Sequence, residues 1–261
     1  MKKNFVFVLF ILSAVFLPLL SGCSGDGVTE TATLYVYNWG EYISDGSEDS
    51  LDSNKAFEEW YLETYGVKVT VNYSTFSSNE SLYSKISSGS VTYDVIVPSD
   101  YMIERMIAED LLAPLDYSNI PNAVNILPEF MGEESLHSDY DPGNVYSVPY
   151  LYGMIGIIYN TSMVDEDDPN IGSWALMWDE NHSGNILQFN NSRDAFGSAQ
   201  YYLGLDVNSD SEEDWRAALE KLKEQKKVVQ GYVMDEIYNK MEISHAAHRA
   251  WKCASQGKSV R

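Results

Sequence analysis

Apolar and polar residues alternate along several stretches of this 261-residue chain, and the period of alternation changes with position. Val67, Val69, Val71 and Tyr73 occupy every second place against polar neighbours, the period of a strand with one covered face. A short apolar run over residues 34–37 predicts an earlier strand. Between the two, Phe57, Trp60, Tyr61 and Tyr65 recur at helical spacing, and Gly66 follows as a stop signal. A shorter helix is expected over residues 78–88, carrying Leu82 and Ile86 and ending at Gly89. Residues 93–97 read as a third strand, apolar enough to predict cover on both faces. The order strand, helix, strand, helix, strand predicts parallel pairing with right-handed crossovers, hence an α/β fold.

Beyond Pro114 the chain becomes turn-rich through Asp141-Pro142-Gly143-Asn144, then enters Val148-Pro149-Tyr150 and a strand-like stretch from Met154 to Tyr159. A lobe boundary is expected near Gly153, with a first lobe over residues 33–153 and the first part of a second over 154–244. The second lobe continues through Trp174 and Trp178, a strand near 185–189, and helices over 194–203 and 211–223.

Ligands of open parallel sheets sit outside the carboxyl ends of the strands. Two loops fall there, Trp39 to Tyr42 after the first strand and Pro98-Ser99-Asp100-Tyr101 after the third, and both are expected to face one crevice. The first belongs to Tyr37-Asn38-Trp39-Gly40-Glu41-Tyr42, which interrupts an apolar strand with rings, a carboxylate and a glycine. That combination suits a small organic cation. An ammonium group favours a carboxylate and a ring face, at roughly 0.5–2 kcal/mol per cation–π contact, and its carbon stem favours flat apolar walls. Glycine lets the backbone come close.

Lys2 and Lys3 precede a run over residues 5–20 that is apolar except for Ser13 and ends in Leu20-Ser21-Gly22-Cys23. The run is short for a membrane span, which takes about 20 apolar residues, and reads as an export signal over residues 1–23. Residues 24–32, beginning Ser24-Gly25-Asp26-Gly27, read as a flexible tether. All 39 acidic residues follow Cys23, against 15 basic ones once Lys2 and Lys3 are set aside, so the exported chain carries about −24. This excludes nucleic acid as a natural partner and is compatible with steering of cations. Cys23 and Cys253 are the two cysteines. The packed core must supply stability if Cys23 is modified.

At this point several motifs, agreeing in order and spacing, resemble the spermidine/putrescine-binding lipoproteins that serve polyamine ABC importers. They are Tyr37 to Tyr42, Tyr73-Ser74-Thr75-Phe76 with Asn79-Glu80, Tyr93 to Tyr101, Tyr146-Ser147-Val148-Pro149-Tyr150, Trp174 with Trp178, and Asn191-Ser192-Arg193-Asp194-Ala195-Phe196. The resemblance implies a two-lobed, type II periplasmic-binding-protein-like fold that closes on an extended polyamine and performs no chemistry. It implies no metal or cofactor, a monomer, and membrane permease subunits as partners. The Leu-Ser-Gly-Cys ending resembles a lipobox, implying that Cys23 is lipidated and holds the protein on the outer face of the cytoplasmic membrane. Carried over by motif, Trp39, Glu41 and Tyr42 form one wall of the site and Ser99 and Tyr101 another, while Asn191 and Asp194 come from the second lobe. Asn191 departs from the pattern, since spermidine-binding members carry an aspartate there; an amide accepts a hydrogen bond but brings no charge. Asn191 and Asp194 also fit a helix-capping pattern, and Asp194 can serve both roles.

The likeness holds to Lys240-Met241-Glu242 and is not expected beyond. From His245 onward there are four bases and no acids, against 11 bases and 39 acids over residues 24–244. Residues 245–261 thus read as an anomalous basic tail on a chain whose C-terminal part is missing, and binding is expected to be weak. Three other readings stay open. One is a hydrolase using Glu41 and Asp194, although no acid paired with a base marks it. The others are a solute-binding protein for another cation or a sugar, and a surface fragment without ligand. His137 and His182 read as isolated, and His245 with His248 has helical spacing, which is a weak metal signal.

Overall fold

The computed structural model describes residues 30–47, 49–135, 139–242 and the backbone of 248–254. The export segment with Cys23, most of the tether, His137, His245 and the end of the tail lie outside these residues.

The first sheet has three parallel strands in the order β2-β1-β3: β1 (Thr31–Trp39), β2 (Lys68–Phe76) and β3 (Val95–Ile96). Helix α1 (Ser53–Tyr65) crosses from β1 to β2, and α2 (Asn79–Ser87) crosses from β2 to β3. The expected parallel order is therefore present, with changed boundaries. Strand β1 begins inside the expected tether, with Thr31 and Ala32 paired to Lys68 and Val69, and runs on through Tyr37, Asn38 and Trp39. The ring-rich motif thus completes the strand before the chain turns at Gly40.

Local chemistry sets the helix limits. Asp52 caps α1 by accepting from the Lys55 amide, and Gly66 ends the helix at φ 70°. Ser78 and Ser81 form a reciprocal box at the start of α2. The aromatic stripe of α1 has a different fate from that of a core face. No residue of α1 is buried, Trp60 and Tyr65 are at least half exposed, and the rings pack mainly on one another. Strand β3 is likewise covered on one side only: Ile96 packs on the core, whereas Val95 is 44% exposed. The core of this body is Tyr37, Phe76, Leu82, Met102 and Met106, the last two from α3 (Asp100–Ala108).

The second sheet has the order β4-β7-β5-β6: β4 (Gly153–Tyr159), β5 (Ile186–Phe189), β6 (Val229–Val233) and β7 (His248–Ala254). Strand β4 opens at Gly153, where the boundary was expected. Residues 248–254 of the basic tail form β7, antiparallel to β4 and parallel to β5. The segment read as anomalous thus completes a sheet. Strand β5 is buried along its whole length between α4 (Ser192–Leu203) with α5 (Glu212–Gln225) and the Trp174–Trp178 turn. A buried amide chain fixes this packing: Gln188 donates to Ser198 and Gln225, and Gln225 donates to the Met177 carbonyl. Helix α6 (Glu236–Glu242) follows β6. Among the described residues no helix is long and apolar enough to cross a membrane.

Candidate functional site

The carboxyl ends of β1, β3, β5 and β6 supply the loops that meet between the two sheets. Trp39, the last residue of β1, tilts against Phe76 with ring centroids 4.5 Å apart. Glu41 turns the chain at φ 54°, in the left-handed region that favours glycine, and its side chain is exposed. Holding a carboxylate there costs backbone energy, a pattern that clusters at binding sites. Tyr42 follows, and its carbonyl accepts from the Tyr150 hydroxyl at 2.5 Å. Burial pushes the Tyr42 phenol up, and the charge of Asp194 adds to this. The first wall thus lies within the electrostatic reach of α4.

Ser99 and Tyr101 are organised by one buried residue, Asn79. Its amide nitrogen donates to Ser99 Oγ at 3.0 Å and to the Tyr101 hydroxyl at 2.8 Å, and its oxygen accepts from the Ser99 backbone amide. Ser99 occupies the cap position of α3 without a side-chain cap bond of its own. The Tyr101 hydroxyl also reaches Glu80 Oε1 at 3.4 Å. Burial pushes the Tyr101 phenol up to about 12, with further contributions from Glu80 and Asp194 and an opposing one from the Asn79 hydrogen bond.

On the other side, Asn191 caps α4 by accepting from the Arg193 amide at 3.0 Å. It is buried, and its amide oxygen is committed to the helix. Asp194 lies in the first turn of the same helix, also buried, where both Tyr42 and Tyr101 feel its charge. Anions are favoured at a helix N-terminus. The structure therefore gathers Tyr42, Tyr101 and Asp194 around one cleft, joins Ser99 to them through Asn79, and gives Asn191 a capping task.

Three further residues stand beside these that were not named as site residues, although Glu80 and Tyr150 lie within the quoted motifs. Glu80 accepts from the Ser192 hydroxyl at 2.7 Å, linking α2 to α4 across the cleft. Asp235, just after β6, lies so close to Gly40 that a Cβ there would run into its carboxylate. Burial raises the Asp235 carboxyl pKa, and the neighbouring Glu41 raises it further. Applying the carboxyl-end rule to β6 would have found Asp235. Tyr150 adds a ring beside Tyr42, at 6.2 Å between centroids. A cavity of about 500 Å³ opens beside this cluster, between Glu80 and the start of α4. It carries Asn191 but none of the other six expected residues, so the acid-and-ring cluster and this cavity are adjacent features.

His182 is not isolated: its Nε2 lies 3.3 Å from Asp168 Oδ2, and Asp179 is close by. The turn ending at Trp178 folds Asp179 back onto the loop carrying Asp168, where Asn170 donates to Asp179. Such proximity of residues 9 to 14 positions apart leaves no periodic trace in the sequence.

Two sheets whose strand-end loops carry acids and rings are compatible with a solute-binding fold. The chain belongs to the bacterial extracellular solute-binding protein family, whose model matches residues 54–258, running into β7. It is 34% identical over 206 residues to a spermidine/putrescine-binding periplasmic protein of Salmonella typhimurium, covering 78% of this chain and 54% of that protein. It is 31% identical over 205 residues to the putrescine-binding periplasmic protein PotF of Escherichia coli, covering 76% and 51%. Among solved structures, a putative spermidine/putrescine ABC transporter protein of Listeria monocytogenes aligns with TM-score 0.70 at 33% identity, over 84% of this chain and 62% of that one. The spermidine/putrescine substrate-binding protein PotD of Streptococcus pneumoniae aligns with TM-score 0.60 at 35% identity, over 85% and 62%. These neighbours give the fold its class, a periplasmic-binding-protein-like α/β fold. The chain spans about half the length of the curated relatives it matches.

Proposed function

We propose that this chain is the substrate-binding component of a polyamine ABC importer, capturing spermidine or putrescine between two lobes, the first built on the β2-β1-β3 sheet and the second on the β4-β7-β5-β6 sheet. The observation that carries the reading is the placing of Glu41 beside Asp235 and of Glu80 and Asp194 beside Tyr101, with Tyr42 also within the field of Asp194, along one cleft. Carboxylates would hold the ammonium groups and rings would line the methylenes, by charge-assisted hydrogen bonds and cation–π contact. A neutral sugar could donate hydroxyls to these carboxylates but would bring no charge to offset them. The names of the relatives support the same ligand class.

In this reading the protein binds without catalysing: Glu80 accepts from the hydroxyls of Tyr101 and Ser192, not from a histidine or lysine placed to activate a nucleophile. It is exported, held at the outer face of the cytoplasmic membrane by lipid on Cys23, and hands its ligand to membrane permease subunits as a monomer. Asn191, neutral and committed to its cap, leaves Asp194 as the charge that α4 contributes.

A thermal-shift panel tests the ligand class. Spermidine and putrescine should raise the melting temperature, while maltose, glucose and thiamine should not. A shift from a sugar or thiamine but from neither polyamine would replace this reading with another solute, and no shift at all would favour a surface fragment without ligand.

A further inference from the structure

At the end of the second sheet away from the cleft, the loop that follows β4 meets the turn that leads into β5, because these strands run in opposite directions on either side of β7. The meeting gathers Asp168, Asp179 and His182, with one metal-ligating atom of each lying within 4.8 Å of the other two. All three residues are partly buried, and the side chains of Asp168 and His182 are each 13% exposed. Hydrogen bonds fix the carboxylates. Asp168 accepts from the Asn170 amide at 2.8 Å, while Asp179 accepts from the Asn181 amide at 2.8 Å and from the Asn170 side chain at 2.9 Å. Ile171, between the two aspartates in the chain, packs on the buried Val164 and Leu176. Orienting bonds and an apolar backing of this kind are what surround the ligands of metal sites.

We propose that Asp168, Asp179 and His182 form a site for a divalent cation of the zinc type, which fastens the loop after β4 to the start of β5. The donor set selects the ion. One imidazole nitrogen with two carboxylate oxygens suits zinc and its first-row neighbours, whereas calcium and magnesium call for about six oxygens. Distance agrees with this choice. Zinc bonds of about 2.0–2.1 Å in a tetrahedron place neighbouring donors about 3.3 Å apart, and His182 Nε2 stands 3.3 Å from Asp168 Oδ2. A charge-assisted hydrogen bond would be tighter, at about 2.7–2.9 Å. The Asp179 oxygen, no more than 4.8 Å from either donor, has only a short approach left. Water would complete the tetrahedron. The site is a staple of the second sheet and stands apart from ligand capture in the cleft.

The test uses the whole chain, stripped with a chelator and then melted with and without zinc chloride, beside His182→Gln, Asp179→Asn and a His245→Ala, His248→Ala control for the basic tail. Equilibrium dialysis should show one zinc per parent chain, and the parent should melt about 5 °C higher at about a hundredfold excess of zinc over Kd. Both cluster variants should keep their circular dichroism, lose that shift and bind zinc at least about tenfold more weakly. The tail control should keep shift and affinity. Glutamine at 182 can still donate to Asp168, so a plain histidine–aspartate hydrogen bond predicts that neither the parent nor His182→Gln responds to zinc. Calcium chloride at the same concentration should shift the parent less, and an equal or larger shift would overturn the assignment. So would a parent indifferent to zinc, a shift unchanged in both cluster variants, or one abolished by the tail control alone.

Discussion

The buried amide of Asn79 donates to the hydroxyl of Tyr101 at 2.8 Å. That single side chain also holds Ser99 by two further hydrogen bonds, so the whole third-strand wall of the cleft hangs on a residue of α2. Replacing Asn79 by Ala should leave buried polar groups unpaired and lower stability by about 1–3 kcal/mol. It should also weaken polyamine binding, since Tyr101 loses its anchor. Urea denaturation and calorimetric titration would check both, and unchanged binding would remove Tyr101 from the site.

Tyr101 makes stability depend on alkaline pH. Its phenol is raised from an ordinary 10.0 to about 12, so the folded protein holds the proton more tightly than the unfolded chain. The contribution is fully present below pH 10 and is lost as pH rises towards 12. Tyr140, raised to about 12 by burial and then by Asp100 and Asp141, acts in the same sense. Melting temperatures should fall over this window in the parent protein. The fall should be shallower in Tyr101→Phe.

Gly40→Ala places a methyl group where the Asp235 carboxylate lies. The substitution should hold the two sides apart and weaken diamine binding, with little loss of secondary structure by circular dichroism. Asp235→Asn should act oppositely on the empty protein. Burial and Glu41 disfavour ionised Asp235, so folding is favoured below its ordinary value of 3.8 and loses that advantage as pH rises above it. At pH 7 the amide should therefore raise the melting temperature, and at pH 3 the difference should vanish.

Asp141, 1% exposed, organises the loop that delivers Tyr150 to Tyr42. It accepts from the amides of Val145, Tyr146 and Ser147 and from the Ser147 hydroxyl. Asp141→Ala should cost about 3 kcal/mol, because several buried donors lose a charged acceptor. It should also speed hydrogen exchange over residues 141–150. Unaltered exchange there would mean that the loop is held by other contacts.

What the sequence made legible follows the range of the forces involved. The alternation of Val67 to Tyr73, the stop at Gly66 and the cap at Asn191 are local, and each appears where the pattern put it. Period alone does not say what covers a face. The rings of α1 have helical spacing yet stand largely open, and the apolar Val95 lies exposed. The same limit hid β7: a basic segment gains its place by pairing with β4 and β5, whose residues lie some 60 to 100 positions earlier. Glu41, Tyr42, Ser99 and Tyr101 are expected near the cleft because they come just after strands in chain order, whereas Trp39 ends β1 with its ring against Phe76. Glu80 and Asp235 were not singled out, since their roles come from contacts with Ser192 and Gly40 more than 100 positions away.

Isothermal titration with putrescine, run side by side on the parent chain and on a Glu41→Gln, Asp194→Asn double variant, bears most directly on the cation-gripping cleft. The account predicts saturable one-to-one binding to the parent that weakens at least about 100-fold in the variant, by the loss of two charge-assisted contacts. Equal affinity in both proteins, or no saturable heat with the parent, would contradict it.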